Sequence, residues 1–448
     1  MSSSSSPHIR KVGLLTCVFL VAATMVGNGI YTSLGMQLAN ISSGFTILAL
    51  WTLGGLCALC GALSYAELSS QMPHSGGEYY YFTKIYHPAI GTMAGIITQM
   101  AGCMGPIALA SMAFGKYFQA LFPAINPMVS SIILVTFVTG MHLIDLGVSA
   151  VFQDVTTGLK FLLMGIIVYV GFRYATIPFH TLLPSSVAIK ELFQPTSGVT
   201  LLFCYYAYSG WNAATYIADD VNSSQRIVGK SLIIGSLLVM GVYLLMNTVF
   251  LLAAPMNELR GVLDVGRVVA THLLGQEGGR IMSLFIAIGL IASISAMTWT
   301  GPRIMQMMGK NLFALRWFSK ATSRNMPLRA ILFQYGVVMI LLSTASFKIV
   351  LVSTQFALIS CELLGVLSVI VLRRQHRVIQ DPSLPKVPGF RCPLYPLPQL
   401  FFAVVSIMAL IYTMITNSFE ALLGGGLIVI GLLLYPLLQG KGNNESNP

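Results

Sequence analysis

The 448-residue chain is 55% hydrophobic and 9% charged, with mean hydropathy +0.78 and formal net charge +11. A soluble domain carries about 25% charged residues, which excludes a soluble globular fold, and the basic residues lie between apolar runs rather than in a patch, which excludes nucleic acid as a partner. The seven cysteines are an odd number, and all but Cys392 lie in apolar runs, which excludes a disulfide framework.

In chain order, "MSSSSSPHIRK" reads as a short disordered cytoplasmic tail, 1–11. The uncharged run from Val12 to Ala66 is too long for the apolar core of a secretory signal, so the first span is uncleaved. A spanning helix needs about 20 apolar residues, and that run alone holds two. Apolar runs predict twelve spans: roughly 12–39, 44–69, 88–114, 128–146, 150–172, 196–218, 228–252, 278–307, 328–344, 347–372, 395–416 and 419–438. The chain therefore reads as an all-α integral membrane protein whose surroundings are the lipid bilayer. Its aromatic, Gly and Pro content fits helices better than the alternating pattern of a barrel. The connections near 173–195 and 253–277 are too short to be domains, and a second tail, 439–448, ends the chain.

An even number of spans puts both termini on one side. Sixteen of the 25 Lys and Arg fall on that side and seven on the other, which places both termini in the cytoplasm. The two most basic connections, 308–327 and 373–394, share that side. Cys57 and Cys60 have redox or metal spacing, but no second pair or His partner accompanies them, so they read as packing residues. No metal or cofactor is expected.

"VGNGIYTS", 26–33, interrupts the first span. A glycine costs a helix interior about 1 kcal/mol relative to alanine. "YYAYSGWNAATYIADD", 205–220, carries Ser209, Gly210 and Asn212 in the middle of span six. Spans one and six are equivalent if five spans repeat with inverted topology, and paired interruptions in corresponding halves point to a transporter binding site. A broken helix exposes carbonyls at one end and N–H groups at the next start. In bare lipid that is costly; facing a ligand, it makes a receptor for a zwitterion. The helix start from Gly29 and Ile30 offers N–H groups and positive dipole to a carboxylate. Carbonyls near Met25, Val26, Tyr206 and Ala207 can accept from an ammonium, and Gly27 and Asn28 occupy the break itself. The site needs no charged side chain for these groups, and none is expected beside either break. Ser209 and Gly210 are small, leaving room for a bulky apolar group. Ordinary packing glycines are the alternative reading of each break.

Four segments carry a resemblance. "VGNGIYTS" resembles the "GSGIF" signature of the amino acid–polyamine–organocation superfamily. "YAELSSQMPHSGGEYYYFTKIY", 65–86, resembles its "YAELGxxxPxSGGxYxY" segment after span two. "FCYYAYSGWNAATYIADDVN" resembles the "FAYxGWNxxxxxxEE" stretch of the L-type amino acid transporter branch, and "GFRCPLYPLP", 389–398, resembles the "YRxPxYPxxP" approach to span eleven. The resemblance implies a LeuT-type fold of twelve transmembrane helices: a ten-helix core, 12–372, in a 5+5 inverted repeat with broken helices 1 and 6, and a C-terminal hairpin, 395–438. The repeats would span about 12–172 and 196–372, with 373–394 a cytoplasmic loop. It implies amino acid transport by alternating access. Asn28 stands where the family usually has serine, Tyr206 where the branch often has phenylalanine, and Asp219 and Asp220 where it has two glutamates. Asn28 and Tyr206 are thus positions that can alter substrate choice. Resemblance to the aromatic gate of the branch gives Tyr206 the closing of the site from outside. Members that pair with a glycoprotein use a cysteine after span three. Residues 115–127 have none, so no disulfide-linked heavy-chain partner is expected, and the chain reads as a monomer or homodimer.

Charged residues inside spans are functional candidates by default. Lys160 lies in span five, where relatives carry a lysine near the sodium site of sodium-coupled members. The resemblance implies that its ammonium substitutes for that ion. Burial disfavours the charged form of an amine, which opens proton coupling; snorkelling to the cytoplasmic face is the alternative. Glu362, mid-span ten, takes no role from the family and reads as a packing residue, a partner for a polar group, or a proton site. Glu67, at the end of span two, reads as a structural partner of a basic loop, and Arg303, near the cytoplasmic end of span eight, as a structural residue that snorkels or pairs. Asp219 and Asp220 end span six. They point to cationic partners in a cytoplasmic gate, with Arg226 or Lys230 as candidates, or to a merely solvated helix end.

The sequence thus reads as a secondary active transporter in the cell (inner) membrane, carrying neutral, fairly large amino acids without sodium, by exchange or proton coupling. A polyamine or cationic amino acid carrier is the alternative within transport, with Glu362 as the acid it would need. A nutrient receptor or channel on the same scaffold normally adds a large signalling loop or tail. No nucleophile–base pair suggests an enzyme.

Overall fold

A computed structural model describes residues 11–27, 29–262, 264–322, 326–344, 347–374 and 389–440. Asn28, the expected tail up to Arg10, residues 375–388 of the expected cytoplasmic loop and residues 441–448 lie outside the described residues. No β-strand occurs among the described residues; Val12 and Val221 make one isolated parallel bridge.

The first expected span is two helices, α1 (Leu14–Met25) and α2 (Gly29–Leu38). α3 (Gly44–Gln71) starts where Ser43 Oγ accepts from the Thr46 amide, satisfying one of the donors that every helix start leaves open. α4 (Glu78–Ile85) is a short helix before α5 (Pro88–Ile97), and α5 runs through a π-helical stretch, Thr98–Met104, into α6 (Gly105–Leu121). α7 (Pro127–His142) and α8 (Leu146–Tyr174) follow, each started by a side-chain cap, Asn126 and Asp145. α9 (Ser186–Leu192) precedes α10 (Pro195–Tyr208). Beyond α10 the chain breaks and continues as a 3-10 segment, Ala213–Asp220. Then come α11 (Ser224–Ala253), α12 (Met256–Leu259), α13 (Val265–Asn311), α14 (Leu328–Thr344), α15 (Phe347–Arg374), α16 (Leu397–Thr416) and α17 (Ser418–Gln439).

Nine helical stretches among the described residues are long and apolar enough to cross a membrane, counting α1–α2 and α5–α6 as one each. Three expected spans fall short of that length: α7, α14, and α10 with its 3-10 continuation. The expected connection 253–277 is helical from Val265 onward. α13 begins there and is kinked at Gly275, where φ is +73°. Apolar side chains on α8, α16 and α17, among them Leu162, Ile415 and Leu437, are exposed, as helices facing lipid require.

α1 is enclosed by α8, α11 and α13, and α10 packs against α2 and α3. At the far end of α3, Arg373 donates to both oxygens of Glu67, from Nε at 2.7 Å and Nη2 at 2.6 Å, and the Cys392 amide adds a third donor at 2.7 Å. Glu67 thus pairs as its position predicts, and the two-pronged geometry ties α3 to α15.

Candidate functional site: two helix breaks around a buried cavity

α1 stops at Met25 and α2 starts at Gly29; α10 stops at Tyr208, with Ser209 as its cap. The two breaks touch through backbone. A Cβ on Gly29 would sit 3.0 Å from Ala207 Cα, and one on Gly210 would sit 2.7 Å from Thr24 Cγ2. Gly210 also has φ +97°, a conformation that side chains rarely adopt. At these two positions glycine is therefore needed for approach and, at Gly210, for backbone shape.

A cavity lies where the breaks meet, with ≈ 80 Å³ available to the centres of water-sized molecules. Of the residues expected from the sequence, Met25, Gly27 and Gly29 line it from the first break. Tyr206, Ala207, Ser209 and Gly210 line it from the second, and Glu362 from α15. Val26 and Ile30 are buried but are not part of the lining. Sequence reasoning missed the opposite wall. It comes from the π-helical stretch (Gly102, Cys103) and from α13 (Met297, Thr300). π-helical segments are rare and concentrate at functional sites, yet "TQMAGCM" carries no local signal for one.

The α1 carbonyls are less open than the sequence suggests. Lys160 Nζ donates to Val26 O and to Ser293 Oγ at 2.7 Å, with Ala23 O at 3.5 Å. Ser293 Oγ donates to Val26 O at 2.8 Å. A carbonyl has two lone pairs, so Val26 O is saturated. The Tyr243 hydroxyl lies 2.9 Å from both Met25 O and Ala207 O. It has one proton for the two, and Met25 O also accepts from the Gly27 amide at 2.9 Å, so the open acceptor capacity lies mainly at Ala207 O, and one side chain ties the breaks together. Lys160 is 2% exposed, so it does not snorkel. The expectation that no charge stands beside either break is corrected. Lys160 reaches the first break from α8 and Glu362 reaches the second from α15.

Glu362 is 3% exposed. Its Oε2 accepts from the Tyr205 hydroxyl at 2.8 Å, and its Oε1 from Ser209 Oγ at 3.5 Å. A second buried carboxylate, Glu78, accepts from Asn212 Nδ2 at 2.5 Å. Asn212 lines the cavity.

Asp219 and Asp220 separate. Asp220 Oδ2 lies 2.8 Å from Arg303 Nε, with both side chains buried, and accepts from Trp299 Nε1 at 3.4 Å. Asp219 Oδ1 is 3.3 Å from His74 Nδ1, and the Asp219 amide donates to Ser75 Oγ at 2.8 Å. Partnership with Arg226 or Lys230 is thereby corrected, as is the solvated helix end for Asp220. The partner of Asp220 lies on α13, remote in sequence, and the segment carrying both acids is 3-10 rather than α-helical. Val12 closes over this layer: its amide donates to Asp220 O at 2.9 Å and its carbonyl accepts from the Asn222 amide at 3.0 Å. A second cavity, ≈ 200 Å³ on the same measure, lies here between Lys11, Asp219 and Lys310.

A family model described as "Amino acid permease" matches residues 12–434. The chain belongs to the amino acid permease family. This permease is 24% identical to the "Serine/threonine exchanger SteT" of Bacillus subtilis (strain 168), over 98% of both chains. It is 25% identical to the "b(0,+)-type amino acid transporter 1" of Mus musculus, over 74% of this chain and 69% of that one. It is 26% identical to the "Asc-type amino acid transporter 1" of Homo sapiens, over 66% and 58%. The permease is a multi-pass membrane protein of the amino acid–polyamine–organocation superfamily. Its relatives are transporters, not enzymes, and its substrates are small-molecule amino acids.

Proposed function

We propose that this permease is a sodium-independent secondary transporter that moves neutral, fairly large α-amino acids by alternating access. The observation that carries the reading is the meeting of two helix breaks, in backbone contact, over one buried cavity. The start of α2 receives the α-carboxylate, as helix N-termini do. The open acceptor capacity of Ala207 O, with Met25 O beside it, receives the α-ammonium. Gly27, Asn28 and Ile30 complete the first break, and Tyr206, Ser209 and Gly210 the second. Leu109, Met297 and Leu358 supply apolar surface for a side chain. Lys160 holds its ammonium against Val26 O in place of a sodium ion, and transport runs by exchange or proton coupling. Exchange is favoured by the name of the bacterial relative.

The proposed architecture is a LeuT-type fold of twelve spans, with repeats at about 12–172 and 196–372 and a hairpin at 395–438. Both termini face the cytoplasm, in the cell's inner membrane. Tyr206 closes the site from outside, and the Asp220–Arg303 pair with the Val12 bridge closes it from inside. No disulfide-linked heavy chain takes part.

The test is a thermal-shift screen of the purified protein against the twenty amino acids and common polyamines. A ligand that binds only the folded state raises the melting temperature. Neutral amino acids are expected to give the largest shifts. Larger shifts with putrescine or spermidine would replace this reading with a polyamine carrier.

A further inference from the structure

Glu362 is the one acid in α15, and it lies at the cavity between the breaks, in no ion pair among the described residues. Its carboxylate is held in place from α10, which α16 backs. The Tyr205 hydroxyl on α10 donates to it at 2.8 Å, and that hydroxyl lies 3.4 Å from Ser406 Oγ on α16. The Tyr205 ring packs on Phe402 with centroids 6.0 Å apart. The second donor, Ser209, is the cap of α10 and itself lines the cavity.

A carboxylate offers about four lone-pair sites, and two hydroxyls use two of them. No Lys, Arg or His among the described residues reaches Glu362. The carbonyl end of α10 adds negative partial charge at the same place. Glu78 adds a second buried carboxylate behind Asn212 and Tyr216, which both line the cavity. Each Glu362 oxygen has one donor and so keeps acceptor capacity at the cavity wall, and a buried acceptor left without a donor is costly. Lys160 does not supply the deficit, because its ammonium is spent on Val26 O, Ser293 Oγ and Ala23 O at the other break.

We infer that Glu362 selects the substrate side chain, and that the class selected is α-amino acids whose side chain ends in a hydrogen-bond donor, a hydroxyl or an ammonium. The inference rests on the reading of the cavity as the amino acid site: a hydroxyl narrows the neutral class proposed above, and an ammonium replaces it with a cationic one. The apolar wall takes the stem of the side chain, and Glu362 takes its donor. A site built to bond a donor rejects the isostere that lacks one, because its buried acceptor is then left unpaired.

The experiment compares two near-isosteric pairs, threonine with valine and lysine with norleucine, by equilibrium binding to the purified full-length protein. In at least one pair the donor-bearing member is expected to bind roughly 10- to 100-fold tighter, the usual worth of a hydrogen bond to a charged group. The pair that shows the preference identifies the donor as hydroxyl or ammonium. Glu362→Gln keeps an acceptor oxygen and removes the charge, so a threonine preference should persist in reduced form and a lysine preference should collapse. Glu362→Met removes both oxygens, and threonine should fall to the level of valine while valine binding persists. Equal affinity within both pairs in the unmodified protein overturns the inference and leaves the amino acid site standing. Absence of binding by all four overturns the site reading itself, and this inference with it.

Discussion

Replacing Gly27 with leucine is expected to abolish amino acid binding while membrane insertion and folding persist. A Cβ at Gly27 meets nothing within 4 Å, and the residue lines the cavity. The isobutyl group therefore enters open space, and that space is where the substrate backbone belongs. A loss of at least about 100-fold in affinity, on the order of 3 kcal/mol, is the expected size. Gly29→Leu should differ in kind. Its Cβ would press on Ala207 at 3.0 Å from Cα and 3.1 Å from Cβ, so α2 must move from α10, and stability should fall along with binding. Size-exclusion profiles and thermal melts of both variants, beside the binding titration, separate the two effects. Unchanged affinity in Gly27→Leu would remove the first break from the binding site.

Lys160→Ala is expected to slow transport by at least about tenfold, a barrier increase near 1.4 kcal/mol, while substrate binding survives. Nζ bonds Val26 O, at the carbonyl end of α1, where the helix dipole favours a cation. It also bonds Ser293 of α13, so one ammonium joins α8, the broken α1 and α13. Loss of the amine leaves Val26 O with the Ser293 hydroxyl alone and unties α8 from the element that carries the substrate. The groups that face the substrate are untouched. Uptake into proteoliposomes, with and without sodium and across a pH series, is the measurement. Strict sodium dependence of the unmodified protein would refute the substitution of ammonium for sodium. Equal uptake by both proteins at every pH would leave Lys160 a packing residue.

The sequence was legible where the signal is local. Apolar runs marked the helices, and "VGNGIYTS" and "YYAYSGWNAATYIADD" marked the places where α1 and α10 stop. Lys160 and Glu362 stood out because a charge in an apolar run is costly. Their partners did not, since Lys160 meets Val26 and Ser293, and Glu362 meets Tyr205, across more than 130 residues of chain. Proximity in sequence suggested Arg226 or Lys230 for the acids at 219 and 220. The actual partner of Asp220, Arg303, is brought in by α13 packing beside the 3-10 segment. Tyr243 and Ser293 resemble ordinary residues of apolar helices, and only the fold shows that their hydroxyls serve the α1 carbonyls. The start of α13 reads as a connection in the sequence because the apolar run of that span begins only near 278. A helix does not need lipid to form, so the start of that run marks the span end and not the helix end.

Recognition of the substrate carboxylate by the start of α2, at the meeting of two broken helices, is tested most directly by removing that charge from the ligand. The strongest amino acid ligand from the thermal-shift screen is compared in equilibrium competition with its carboxamide and with the amine that lacks the carboxylate. The amine lacks the carboxylate altogether and the carboxamide lacks only its charge, and both keep the α-ammonium and the side chain. The parent amino acid is expected to bind at least about 100-fold tighter than either, since a charge-assisted hydrogen bond is worth roughly twice a neutral one and more than one is lost. Equal competition by the amine and the parent amino acid would contradict recognition by the helix breaks.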